Sequence, residues 1–282
     1  MGLQSGELDG VSGLPYAGYP LFENENYNIN STATSRAFFL QLNFANPVFE
    51  DLNIRSAIAT AIDKQGFVDV LLNGHGKPAN GPFPMKEGEE LSYAFSPEKS
   101  KELLSDAGWN DSDGNGYVDK DGRDFELTLL TYSGRSELPV LAQSIQSNLK
   151  DVGIKLNINN SENYLQVLKD DNAWDILCSA MVTDPTGNKA YFFDMTALSD
   201  AAKNRGHYSN SELDAMAKEL EVTFDEEKRE KLASDMSNLL VNDMGFIFVS
   251  HLQMSLVSKK NIKGLSPMPS DYYEFSKDLV IE

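Results

Sequence analysis

Residues Phe38–Pro84 read FFLQLNFANPVFEDLNIRSAIATAIDKQGFVDVLLNGHGKPANGPFP. A short apolar strand ends at Asn43, a turn carries Asn46-Pro47, and Asp51 opens a helix. Asp51 suits an N-cap because its carboxylate can accept from the first free helix N–H groups. Ile54, Ala57, Ile58, Ala61 and Ile62 follow at i, i+3, i+4, i+7 and i+8, one face of a helix. Gly74, Gly76, Pro78, Gly81, Pro82 and Pro84 then break the chain into a loop. Taken residue by residue, this is a capped core helix beside a strand.

The order of these residues resembles a known family. Peptide- and nickel-type solute-binding proteins of ATP-driven bacterial importers carry N-x-x-x-P-F-x-D-x-x-[IV]-R-x-A-[ILV]-x-x-A-I-D. The matching positions are Asn43, Pro47, Phe49, Asp51, Ile54, Arg55, Ala57, Ile58, Ala61, Ile62 and Asp63, with Val48 as the one departure. Leu3-Gln-Ser-Gly-Glu-Leu-Asp9 is similar to a turn, L-x-x-G-E-[IVL]-D, that lies mid-chain in that family. The resemblance implies an α/β lobe of a two-lobed periplasmic-binding-protein fold, type II and peptide-binding class, with a mixed sheet covered by helices. It also implies that the chain is the later part of a longer protein whose signal sequence or lipid-attached cysteine precedes it. Residues 1–36 would then be a remnant of the first lobe and the hinge approach. Residues 37–250 would form the second, ligand-binding lobe, and 251–282 would return toward the hinge.

Composition bounds function independently. The 282 residues carry 43 acidic against 24 basic groups, a net charge of −19, with ordinary globular hydrophobicity of 41%. Such a chain offers no basic footprint for nucleic acid and none for an anionic membrane surface. It favours a cationic or zwitterionic ligand through its overall field. No apolar run approaches the roughly 20 residues that span a bilayer, and Met1–Asp9 has no apolar leader-type stretch. The single cysteine, Cys178, lies in an apolar run and reads as a core thiol. The three histidines, His75, His207 and His251, share no metal-ligand spacing. No nucleophilic triad, phosphate loop or dinucleotide fingerprint is present. No cofactor is expected.

Strands alternate with helices along the rest of the chain. The pattern predicts strands over 38–44, 124–132, 154–158, 175–182 and 245–257. It predicts helices from Ser96 to Gly108, through Leu138–Leu149, over 161–169, and through Leu213–Leu220 and Leu232–Leu240. Ser209 and Glu212 read as a capping box. Residues 10–35 and 73–91 read as loops. Alternation of this kind implies a sheet covered by helices.

Three segments are candidate sites. Ala180–Gly187 follows the apolar strand 175–182, and ligands of open α/β sheets sit beyond strand carboxyl ends. From the residues alone, Asp184 either faces a ligand or caps its own turn. The resemblance implies the former, with Asp184 pairing with the α-amino group of a peptide, Thr183 and Val182 supplying backbone contacts, and Met181 beside them. Thr131–Ser136 lies at another strand end, where Tyr132 and Arg135 could line the cleft before a helix N-terminus; a solvated loop is the alternative. Asp111–Asp119 imitates the start of a calcium loop, but Gly122 stands where the bidentate Glu belongs, so a polar turn pair is the default.

The expectation is a binding module, not an enzyme, that captures a peptide between two lobes and delivers it to ABC permease subunits outside the cytoplasm. Its partners would be the solute, the permease and the first lobe, without nucleic acid or direct membrane insertion. A nickel–chelate complex, a sugar or haem is the alternative cargo. A carboxylate-based enzyme and a ligand-free sensory ectodomain are the alternatives of other classes.

Overall fold

The apolar run Phe38–Leu42 is only the end of a 16-residue strand that begins at Tyr27. The computed structural model describes residues 2–85, 88, 90–270 and 275–282. In chain order the strands are β1 (Gly10–Ser12), β2 (Tyr27–Leu42), β3 (Gly76–Pro78), β4 (Asp119–Lys120), β5 (Arg123–Asp124) and β6 (Glu126–Thr131). They continue with β7 (Lys155–Asn160), β8 (Ile176–Val182), β9 (Phe246–Lys259), β10 (Ile262–Lys263) and β11 (Val280–Ile281). The helices are α1 (Gly2–Ser5), α2 (Leu52–Ala61), α3 (Lys64–Gly66), α4 (Pro97–Asp106) and α5 (Glu137–Asp151). After them come α6 (Tyr164–Val167), α7 (Ala190–Phe192), α8 (Ser211–Val222) and α9 (Glu226–Asn242).

The main sheet runs β1-β9-β2-β8-β6-β7, with β3 added to β9. Pairing is antiparallel from β1 to β8 and parallel for β8–β6 and β6–β7. The parallel pair needs a crossover, which α5 supplies. Alternate residues of β2 serve opposite faces. Phe38, Leu40 and Leu42 pack with Ile58 of α2 and Leu141 and Ile145 of α5. Ala37 and Phe39 face Phe192, Leu213, Met236 and Leu240 from α7, α8 and α9. Both faces are thus covered, as the alternating pattern predicts.

Three local readings need correction. Residues 10–35, expected as loop, contain β1 and more than half of β2. Their polar composition conceals a strand because β9 supplies backbone partners, and the side-chain amides are also bonded. Asn28 Nδ2 donates to the Ile262 carbonyl at 2.9 Å and Asn30 Nδ2 to that of Leu265 at 2.5 Å. The 73–91 loop contains β3, which pairs with β9. The cap of α8 is Asn210 rather than Ser209. Asn210 Oδ1 accepts from the N–H groups of Glu212 and Leu213, while the Ser209 hydroxyl bonds that of Ser199. At α2, by contrast, Asp51 caps as expected, accepting from Asn53 N–H at 2.8 Å.

The long β2–β9 pair is interrupted. Tyr27–Ala33 pairs with Gln253–Lys259 and Ala37–Gln41 pairs with Phe246–His251, with a register shift between the two runs. Such irregularities bend a strand pair and increase its local twist.

Two buried titratable side chains fasten the loop beyond β3 to this region. Lys64 is 4% exposed and donates to the Ala79 carbonyl at 2.9 Å; burial pulls its pKa down to about 8. His251, on β9, donates from Nε2 to the Gly81 carbonyl at 3.1 Å, while Nδ1 is buried without a partner among the described residues. Desolvation lowers its pKa to about 4. An unfolded histidine protonates near 6.5. Between these values the unfolded chain binds a proton that the folded chain refuses, so stability rises with pH and falls on acidification. Urea unfolding at pH 6.5 and pH 5 should therefore show a loss of about 1.6 kcal/mol attributable to this one group, since the unfolded histidine is already half protonated at pH 6.5. In His251→Asn the same acidification should cost about that much less.

Candidate functional site

The central strand β8 is buried along nearly its whole length, as its continuous apolar sequence Ile176–Val182 requires. Its two neighbours cover it unequally. β2 pairs with it from Ile176 to Val182, whereas β6 pairs only with Ile176 and Leu177. Thr183 N–H donates to the Ser35 carbonyl of β2 at 2.9 Å, which fixes the parity of the ladder. The backbone groups of Ala180 and Val182 therefore point the other way, toward the side that β6 leaves. The Ala180 amide lies against the Tyr132 phenol oxygen, and burial raises the phenol pKa.

Asp184 stands just past this edge. Its backbone is tied to Ser35: Asp184 N–H donates to Ser35 Oγ at 3.3 Å, and that hydroxyl donates back to the Asp184 carbonyl at 3.2 Å. Its carboxylate lies against the Gly187 N–H across the turn, while Oδ1 is buried with no partner among the described residues. Desolvation raises the carboxyl pKa, and the nearby Lys189 ammonium, itself paired with Glu230, pulls it back. Both sequence readings of Asp184 are compatible with this geometry, the carboxylate standing at its own turn with Oδ1 unpartnered among the described residues.

The remaining expected residues divide. Thr183 is fully buried, and its hydroxyl as well as its N–H donates to Ser35, so it anchors β8 instead of offering a side chain to solute. Val182 and Met181 are buried, and Met181 Sδ accepts from Thr196 Oγ1 at 3.2 Å. Tyr132 stacks on Tyr164 with ring centroids 4.2 Å apart. Tyr132 and Met181 line one groove of about 170 Å³, which does not include Arg135 or Asp184. Sequence reasoning missed other polar residues of the groove, Gln41, Ser179, Thr196, Lys203 and Arg205 among them. The one available signal was Gln41, a polar residue inside the apolar run FFLQL.

At the other candidate, Asp111, Asp113 and Asp119 bring carboxylate oxygens within 4.8 Å of one another. The loop uses them itself: Asp111 accepts from Gly114 and Gly116, and Asp119 from Ser112. Gly122 sits in the β4–β5 turn at φ +71, so a polar turn pair describes the segment. His75 stacks near Tyr16 and Tyr19, His207 pairs with Asp171 at 2.9 Å, and His251 is buried on β9. Cys178 is buried in the core, with its thiol pKa pushed well up by desolvation.

Residues 1–204 match the profile of the bacterial extracellular solute-binding proteins, family 5, middle region. The chain belongs to this family. Among family 5 relatives, the nickel-binding protein NikA of Staphylococcus aureus is 27% identical over 263 residues, 92% of this chain and 51% of that protein. The oligopeptide-binding protein AppA of Bacillus subtilis is 25% identical, over 98% of this chain and 52% of its own length. The crystal structure of a nickel ABC transporter protein from Bacillus halodurans superposes with a TM-score of 0.83 at 28% identity, covering 99% of this chain and 59% of that one. Its fold is shared by AppA of Bacillus subtilis in complex with a nonapeptide, at a TM-score of 0.79. The chain spans about half the length of the curated relatives it matches. Among the described residues no helix is long and apolar enough to cross a membrane.

Proposed function

We propose that this chain forms one jaw of an extracytoplasmic receptor that captures peptides between two lobes and delivers them to an ABC permease. The observation that carries the reading is the backbone edge of β8 beyond Leu177, where β6 stops. Tyr132 meets the Ala180 amide, no described strand pairs with Val182 on that side, and Asp184 Oδ1 just past it has no partner among the described residues. An extended peptide can add to such an edge as a strand. Its ammonium terminus would pair with Asp184 in a charge-assisted hydrogen bond. Oligopeptide- and dipeptide-binding relatives support the cargo class.

The register shift in β2–β9 supports a hinge at the boundaries expected from sequence, with 1–36 and 251–282 on one side and 37–250 on the other. Closure about such a point is a standard receptor motion. Catalysis by a carboxylate pair finds little support. The raised carboxyls of Asp184 and Asp194 answer to different neighbours, Lys189 and Glu230 for one, Glu221 and Arg229 for the other.

The nickel-binding relatives favour a second reading, in which the same jaw holds a nickel–chelate complex. Mass spectrometry of solute co-purified with the complete protein should find peptides. A nickel complex in their place would transfer the assignment to the second reading.

A further inference from the structure

Asp184 keeps a buried oxygen without a partner among the described residues, although a lysine lies five positions further along the chain. Lys189 is near enough for its charge to act on that carboxyl. An ammonium and a carboxylate within reach form a charge-assisted hydrogen bond. Two other groups hold the Lys189 side chain instead. Its Nζ donates to Glu230 Oε2 of α9, and it stands over the Phe83 ring at 5.5 Å from the centroid. Phe83 is fixed edge-on against Phe193, with centroids 5.8 Å apart. The cation thus sits between an acid and an aromatic face, which attracts it through the ring quadrupole.

The backbone around these charges is fastened separately. Arg229, beside Glu230 on α9, donates from Nη1 to the carbonyls of Leu220 and Thr223 at 2.6 and 2.8 Å. Its Nη2 donates to Asn188 Oδ1 at 3.1 Å, and that oxygen also accepts from Ala190 N–H at 3.2 Å. The turn carrying Asp184 and Lys189 is therefore tied to the α8–α9 corner without help from the Lys189 side chain. Within that frame the ammonium can swing on its flexible four-carbon stem. Glu230 is 58% exposed, and ion pairs at such exposure are weak. The hold on Lys189 therefore needs both the acid and the ring.

We propose that Glu230 is a positioning residue that keeps Lys189 away from Asp184 and so leaves Asp184 open to the ammonium of the solute. Without the Glu230 charge, Lys189 turns to Asp184 and takes the place of that ammonium. Solute then binds only the fraction of receptor whose Asp184 is free, and where Lys189 occupies it nine times in ten, affinity falls about tenfold. The consequence for solute rests on the receptor reading above; the capture of Asp184 by Lys189 does not.

The first measurement uses the 282-residue chain. NMR follows the Asp184 carboxyl through its titration in the parent, Glu230→Gln, Lys189→Met and the double variant, with urea midpoints to confirm folding. Lys189→Met should raise the Asp184 pKa in both backgrounds, by about one pH unit more where Glu230 has become glutamine, because only there does the ammonium touch the carboxylate. Equal changes in the two backgrounds, the mark of charges acting from fixed positions, overturn the proposal. The second measurement is calorimetry of the complete protein with trialanine and N-acetyl-trialanine. Glu230→Gln should weaken trialanine about tenfold, adding Lys189→Met should recover most of the loss, and the acetylated peptide should follow neither change. Trialanine that binds the parent and Glu230→Gln equally also overturns the proposal. If the NMR coupling is present but trialanine does not bind the parent, the Glu230 hold on Lys189 stands and the receptor reading falls.

Discussion

Arg55→Met should lower unfolding stability by about 3 kcal/mol or more, the range for breaking a buried ionic network. Arg55 is 6% exposed although it lies on α2. Its Nη1 donates to the Phe49 and Glu50 carbonyls at 2.5 and 3.1 Å. Its Nε and Nη2 donate to the Asp243 carbonyl at 3.2 and 2.9 Å, and Nη2 reaches Asp243 Oδ1 at 3.4 Å. The guanidinium also lies over the Phe44 ring at 5.5 Å. One side chain therefore joins the turn before α2, the end of α9 and the strand exit at Phe44. Asp243 further accepts from the Tyr208 hydroxyl at 2.8 Å.

Methionine fills similar space but leaves these carbonyls without a donor. Each buried acceptor so stranded costs about 1–3 kcal/mol. Asp243 itself is 36% exposed, so water meets part of its charge and the carbonyls account for most of the loss. The measurement is the urea midpoint of Arg55→Met against the parent chain. A change below about 1 kcal/mol would mean that the network is held together without its central cation.

The second large effect concerns binding. Asp184→Asn in the complete protein should weaken peptides with a free α-amino group by about 2 kcal/mol or more, roughly thirtyfold in Kd. Asparagine keeps an oxygen for the Gly187 turn bond and removes only the charge. N-acetylated peptides, which bring no ammonium, should bind the parent and the variant alike. Calorimetry with matched free and acetylated peptides separates the two cases. Equal weakening of both would show that Asp184 acts through the turn and not on the solute.

Much of this architecture was legible because its signals are local. Asp51 caps a helix whose apolar positions recur at helical spacing, and Phe38, Leu40 and Leu42 alternate as a strand should. The start of β2 was not legible. Asn28, Asn30, Ser31 and Thr32 look like loop residues, and only the distant β9 makes them a strand. The same division applies to the candidate site. Asp184 announces itself through a strand end and an Asp-Pro turn. Lys203 and Arg205 sit in a polar stretch with no periodicity, and tertiary bonds to Gln41 and Met195 bring them to the groove.

The pairing of β2 with β9 also dictates an order of events during synthesis. Tyr27 lies opposite Lys259, so the sheet's longest ladder joins segments more than 200 residues apart. Contacts of such separation form late, because the intervening chain must be gathered before they repay their closure entropy. Emerging from the ribosome, β2 can gain β8 on one side while its other edge waits for more than 200 further residues. A chain that stopped before Phe246 would leave that edge open to other copies of itself.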